Sequence, residues 1–459
     1  MSARNVRNPL VPAALGAALL LLGATASAQQ AGEVEFSRGV GFAQTPGQTP
    51  RTLGKGLPLR EGDRLTTSDG ASAIIKLEDG TRMTVRPNSE LVVTQYKYKE
   101  NAQDNTMLMQ LVRGGFRAVT GLIAKSSPNA ARVQTNTATI GIRGTDFDAR
   151  LCARDCASES ARISESARPN AVQASAKIVS SQGEINAVDG AGQRRRLVDG
   201  GSVYPGDLVE TGNGTKAVLA FRDDTRITLG ATTRFRVDNF VYDEQNAGEG
   251  RFLASVLKGS VRALTGLIAK ANNRNVGFST STATIGIRGT GVDINCTGSC
   301  AGELDASDGS SGLTLFTWLG AIVVTPQGQT ALELLQAGQG LFITPTGIRP
   351  VTSQPPMDGP RPDTVNVPPK LFSHDNVPDA SEGLFVFVRD GHIEVLTAND
   401  ILHLGKGEAG FAGDNGNTAR PLNIPKFIDF DKLPLPSSKN PLLLSVLSES
   451  GIKPGNQCK

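Results

Sequence analysis

The strongest constraint on this chain is an exact internal repeat. Thr137–Thr145 and Thr282–Thr290 both read T-A-T-I-G-I-R-G-T, an offset of 145 residues. Thr120–Lys125 and Thr265–Lys270 both read T-G-L-I-A-K at the same offset. At an offset of 144, Gly62-Asp63 matches Gly206-Asp207, and Asp79-Gly80-Thr81-Arg82 matches Asp223-Asp224-Thr225-Arg226. Two identical strings in one register mark a duplication, with one residue inserted between blocks. The repeated unit is long enough to carry its own core.

Inside the unit the hydrophobic period is two. Ile75 and Leu77 alternate with polar neighbours, a turn follows at Asp79-Gly80, and Met83 and Val85 come next. Leu219 and Phe221, then Ile227 and Leu229, repeat the pattern. That is a hairpin with one buried face. The nine-residue string is strand-like too, and its two glycines predict a bulge and a closing turn. Thr120 to Lys125 fits a short helix or a turn. A smaller step recurs at Gly39–Gly56, Gly183–Gly200, Gly320–Gly338 and Gly391–Gly407, each a glycine, alternating apolar residues, and a closing glycine turn. Such steps, with Gly 52 and Pro 25, predict an all-β fold of tandem domains with short hairpin repeats, either a solenoid-like roll or a sandwich.

Composition shifts divide the chain as follows. A targeting segment occupies 1–28, and a first domain 33–156. A Ser-, Ala- and charge-rich linker covers 157–173. A second domain with a trailing β-hairpin module covers 174–345, followed by a Pro-rich spacer over 346–380. A small C-terminal β-module spans 381–425, and 426–459 is an irregular tail with room for a short helix at 442–448. The targeting reading rests on Arg4 and Arg7, the apolar stretch Pro9 to Gly23, and the small-x-small pattern Ala26-Ser27-Ala28, which places cleavage between Ala28 and Gln29. The longest later apolar stretch, Leu313 to Val324, is short of the roughly twenty residues a spanning helix needs. The expected location is therefore the periplasm, or secretion, with no transmembrane segment in the mature chain.

Charge and cysteines narrow the function. Lys+Arg 47 against Asp+Glu 44 gives +3, which offers no electrostatic case for nucleic acid. The run Arg194-Arg195-Arg196 reads as a solvated hairpin edge. Cys152 and Cys156, and Cys296 and Cys300, each follow one copy of the string, and in an oxidising compartment they read as local disulfides. A zinc site is the alternative, but neither repeated domain contains a histidine. Cys458 is left over.

With these motifs in hand, the chain resembles the FecR domain. The resemblance rests on Gly62-Asp63, the D-G-T-R turn at Asp79–Arg82, R-G-G-F-R at Arg113–Arg117 and the terminal string. It covers about 60–156 and 205–300. It implies a periplasmic all-β module that contacts proteins or ligands. In the regulators of that family the domain receives a signal from an outer-membrane receptor and passes it to a sigma factor. Those regulators carry an anti-sigma segment and one transmembrane helix, and this sequence shows neither.

Arg143 and Arg288, each beside a glycine in the string, are the candidate binding residues. The competing reading pairs each arginine with a nearby carboxylate. Asp146 and Asp148 are too few for a calcium site. His374, His392 and His403 all lie near the C-terminus. His392 and His403 fall in one hairpin and can approach each other, though solvent-facing or satisfied histidines are the simpler reading. No nucleophile elbow, zinc-protease motif or phosphate loop is present. The expectation is a non-enzymatic binding, sensing or signalling scaffold with no cofactor and no metal, working on an envelope protein partner or a ligand. The alternatives are a structural or adhesive envelope protein, a glycan or peptidoglycan binder, and, less favoured, a carbohydrate-active enzyme. Oligomeric state is open.

Overall fold

The computed structural model describes residues 30–126, 130–306, 310–329, 333–431, 433–434 and 436. The expected targeting segment, its cleavage point, the helix at 442–448 and Cys458 lie outside these residues. The fold is all-β, in two 15-stranded sheets with the same strand order. The first runs from the hairpin 41–52 through 64–67, 90–97, 106–119, 131–134 and Thr139–Cys152 to Gly383–Leu396 and 409–419. The second runs from 185–197 through 208–211, 234–241, 251–264, 276–279 and Ala283–Cys296 to Leu313–Pro326 and 340–351. Neither closes into a barrel.

One consequence of this order was not visible in the sequence. The strand carrying the first string pairs along its length with Gly383–Leu396, whereas the strand carrying the second pairs with Leu313–Pro326. The strands within 381–425, expected as a module of their own, therefore complete the first sheet. The whole second repeat is inserted between two paired strands of the first. The cores follow suit. Leu384, Val386, Ile393 and Val395 pack in one cluster with Val34, Ile75 and Phe116, while Leu313, Leu315 and Ile322 pack with Ile178, Leu219 and Phe235. Two further expectations change in the same way. The linker 157–173 begins inside a helix, Asp155–Ala161. The Pro-rich stretch starts as a strand, Gly347–Val351, and then packs along the second repeat. There the Gln354 amide donates to Asp293 (2.7 Å), and Arg361 lies over the Trp318 ring at 4.3 Å.

The small glycine-bounded step is a real unit of the fold. In all four copies the closing glycine donates its N–H to a carbonyl on an earlier strand: Gly56 to Val34, Gly200 to Ile178, Gly338 to Thr317 and Gly407 to Val388, at 2.7–2.8 Å. Each repeat uses two such steps, one near its start and one beside its string. The string itself departs from expectation. Its glycine sits at a bulge, with Gly144 at φ +59° and Gly289 at φ +71°. The pairing register shifts there, but no turn closes the strand, which runs on to Cys152 and Cys296. A bulge re-aims one side chain without ending the ladder. Cys152–Cys156 and Cys296–Cys300 both lie at disulfide-bonding distance, with Cα separations of 5.6 and 5.2 Å.

Candidate functional site

Most of the repeated motif residues are used to hold the fold. The Asp79 carboxylate accepts from Thr81 N–H (3.1 Å) and Thr81 O–H (2.9 Å), and Gly121 N–H donates to the same threonine hydroxyl at 2.9 Å. The second copy repeats this with Asp223, Thr225 and Gly266 at 3.1, 3.0 and 2.9 Å. T-G-L-I-A-K forms the short helix Leu122–Ser126, or Leu267–Ala271, in the crossover between two parallel strands. Its first threonine then locks onto the last threonine of the string. Thr145 N–H donates to the Thr120 hydroxyl (2.7 Å), which donates back to the Thr145 carbonyl (3.1 Å). Thr290 and Thr265 do the same. The D-G-T turn, the crossover and the string are thus one interlocked unit. This buried polar network has its donors paired, as buried groups require.

The two string arginines, expected as equivalents, part company here. Arg288 is exposed, opposite Ala321 across the strand pair, with no ion pair among the described residues. Arg143 is partly buried, opposite His392, and its guanidinium donates to Glu394 at 2.8 Å. The difference comes from the strand that each repeat borrows. Gly383–Leu396 places His392 and Glu394 beside Arg143, and the next strand, Ile401–Gly405, puts His403 directly opposite Glu394. The corresponding positions of the second repeat are Ala321, Val323 and Leu334. The His392 and His403 rings lie 5.5 Å apart. Both rings are partly exposed, but His392 Nε2 and His403 Nδ1 are buried without a hydrogen-bond partner among the described residues. Burial, reinforced by Lys177 and Arg143, pushes the His403 imidazole down to about 4. Burial, then His403 and the same cations, holds His392 well below its usual range.

Behind the histidines, three charged side chains meet where the repeats join. Lys177 belongs to the second repeat, while Glu408 just precedes Ala409–Gly413 and Arg420 just follows Thr418–Ala419, strands that complete the first sheet. All three are fully buried. Lys177 Nζ donates to Glu408 Oε2 (2.9 Å) and to the His403 carbonyl (3.0 Å), and Arg420 Nε donates to the same Glu408 oxygen at 3.0 Å. Burial alone would raise the Glu408 carboxyl, but Lys177 and Arg420 outweigh it and hold it below the usual range. Burial pushes Lys177 down to about 8 against the pull of Glu408.

A cavity of about 420 Å³ opens at this junction. Arg143, Gly391 and His392 line it from the first sheet, and Arg195, Tyr204 and Asp207 from the second repeat. Among its cations, Arg195 pairs with Asp207 and stacks over Tyr204 at 5.1 Å, and Lys406 reaches Asp390 at 3.5 Å. Arg194–Leu197 is the edge hairpin strand expected from the sequence, but Arg195 on it faces this cavity.

On the first repeat, Asp146 pairs with Arg117 (3.0 Å) and buried Asp148 with Arg389 (2.7 Å). Burial raises the Asp148 carboxyl to about 6. Arg389 and Arg117 oppose the rise, and neighbouring Asp431 adds to it. The folded state therefore prefers the protonated acid. The resulting stabilisation is fully present below the unfolded value near 3.9 and is lost as pH rises through about 6. Urea denaturation from pH 4 to 7 should show wild type losing stability relative to Asp148→Asn as pH rises. A pH-independent difference between the two would disprove the assignment.

Two stretches of the chain, 63–164 and 207–310, match the family described as FecR protein. Both end soon after a cysteine pair, before the strand that each string borrows. Two crystal structures of a protein described as a "putative anti-sigma factor" from Parabacteroides distasonis are similar at 13% identity and a TM-score of 0.24. Each alignment covers 32% of this chain and 59% of that one. At that level the likeness carries no argument. No curated protein matches.

Proposed function

We propose that this chain, which carries two tandem FecR domains, is a non-catalytic binding or sensing protein of the periplasm that acts on an envelope partner or ligand through the junction between its repeats. The observation that carries this reading is the placement of Arg143. The string arginine of the first repeat lines one cavity together with Arg195 of the second, while its twin Arg288 stands exposed elsewhere. Concave sites where structural units meet, carrying a few placed polar groups, are a usual place for recognition. Asp207 and Asp390 in the cavity are each tied to a cation, which favours binding over acid–base work. The cysteine pairs at bonding distance favour an oxidising compartment. Among the described residues no helix is long and apolar enough to cross a membrane.

The nested topology weighs against a spacer. A spacer strings its repeats end to end, but here the second repeat lies in the chain between two paired strands of the first sheet, Thr139–Cys152 and Gly383–Leu396. Crosslinking in living cells tests the reading, with a photoreactive residue placed at Lys406 on the cavity rim or at Arg288. Capture of a distinct envelope component from the rim position alone is expected, and Arg143→Ala should reduce it at least tenfold while Arg288→Ala leaves it unchanged. Recovery of only the chain itself from both positions would point to a spacer or homo-oligomer and end the proposal.

A further inference from the structure

The hairpin formed by Gly383–Leu396 and Ile401–Gly405 presents three side chains of metal-ligand type on one face. Residues two apart on a strand share a face, and so does the residue directly opposite on an antiparallel neighbour. His392 and Glu394 are two apart, and His403 pairs with Glu394. One nitrogen of each imidazole and one carboxylate oxygen of Glu394 all lie within 4.8 Å of one another. We infer that His392, Glu394 and His403 form a binding site for a divalent transition-metal ion of the zinc class, with Arg143 as the cation that occupies Glu394 when the metal is absent.

Three observations join in this. First, the donor set is right: two imidazoles and one carboxylate suit a borderline ion and leave a fourth position open. Here His392 lines the interdomain cavity, so the open position has a route to water or to a bound anion. Second, the two imidazole nitrogens are buried and unpartnered, and buried polar atoms ordinarily find a partner. An ion would supply one to both. Third, the distances can close. Ligands about 2.0–2.1 Å from one zinc ion sit roughly 3.3 Å from each other in a tetrahedral site. The hairpin needs only side-chain shifts of about an ångström or two, with no change of register.

Arg143 gives the site a feature that an accidental cluster lacks. A guanidinium is always charged and has no lone pair to offer a metal. Its bond to Glu394 Oε1 at 2.8 Å neutralises the carboxylate, and an arriving ion must displace it. Metal and Arg143 therefore compete for one oxygen. The second repeat is the internal control, because Arg288 faces Ala321, Val323 and Leu334, none of which can ligate.

The test is made on the mature protein in a Cys458→Ser background, so that this thiol cannot bind metal, and without an affinity tag containing histidine. Zn²⁺ is titrated in competition with a chromophoric chelator, and the Co²⁺ absorption spectrum reports coordination. One equivalent should bind. His392→Ala and His403→Ala should each weaken binding at least tenfold. Arg143→Gln should tighten it at least fivefold, a gain that misfolding cannot produce, and Arg288→Gln should change nothing. Thermal unfolding of each metal-free variant separates loss of the site from loss of the fold. Absence of stoichiometric binding in both wild type and Arg143→Gln, or unchanged affinity in the double histidine variant, would overturn the assignment. The measurement needs no envelope partner, so its failure is distinct from failure of the crosslinking experiment.

Discussion

Replacing Glu408 with alanine should cost this protein about 3–5 kcal/mol, the penalty for breaking a buried ion pair by removing one partner. Lys177, Glu408 and Arg420 are all fully buried at the junction of the repeats. The single carboxylate serves two cations through Oε2. Without it, two positive charges remain in a site that water does not reach, near Arg143, a third cation that together with them already depresses His403. Lys177→Met should cost less, since it removes one cation and leaves the Glu408–Arg420 pair, with apolar volume in place of the lysine stem. Glu408→Gln should fall between, because it keeps the volume and an acceptor but not the charge. Urea denaturation midpoints of the three variants order these expectations. A loss below about 1 kcal/mol for Glu408→Ala would mean that the triad is not needed to hold the second repeat against the strands that complete the first.

How much of this was legible from the residues differs by level. The duplication, the all-β class and the D-G-T hairpin could be read directly, because identical strings and a period of two depend only on local order. Ile75 opposite Met83, and Leu219 opposite Ile227, are as the alternation requires. The four glycine steps were legible as well, and their number held a clue: two repeats with four steps need two steps each. What the sequence could not show is which step joins which string. Gly320–Gly338 and Gly391–Gly407 look alike locally, and their partners are chosen by a pairing that spans either a few tens of residues or the entire second repeat. Non-local strand pairing leaves no local trace. The candidate site inherits this gap. Arg143 and Arg288 sit in identical strings, and only the borrowed strand separates an arginine on a His–Glu–His cluster from one facing alanine. The closing turn expected from the string glycines failed for a related reason. A glycine at positive φ fits a bulge as well as a turn, and the choice depends on whether a neighbouring strand continues past it.

The second large effect concerns the glycine of T-G-L-I-A-K. Gly121→Ala and Gly266→Ala should each destabilise the protein by about 3 kcal/mol, the upper end of the cost of forcing an extra carbon into a packed site. A Cβ on Gly266 would lie 1.9 Å from the Asp223 carbonyl oxygen and 2.4 Å from Thr225 N, and on Gly121 the matching distances are 2.2 and 2.6 Å. The obstructing atoms are backbone in the tight D-x-T turn, which cannot swing aside as a side-chain tip would. Relief requires the turn and crossover to separate, and that breaks the Gly121–Thr81 bond and its twin. Two other glycines calibrate the result. Gly289 has open space around it but a φ of +71°, so alanine there should cost about 1–2 kcal/mol of backbone strain. Gly190 has open space and no such conformation, so its replacement should stay within about 0.5 kcal/mol. Urea midpoints should therefore rank Gly190, then Gly289, then Gly121 and Gly266. If Gly121→Ala proves as mild as Gly190→Ala, the interlock does not explain why the motif is repeated. If the ranking holds, the glycines of the repeated strings are fixed by packing at Gly121 and Gly266 and by backbone conformation at Gly289. The arginine is then a member of the string whose surroundings are free to differ, and it is the arginine of the first repeat that lines the cavity.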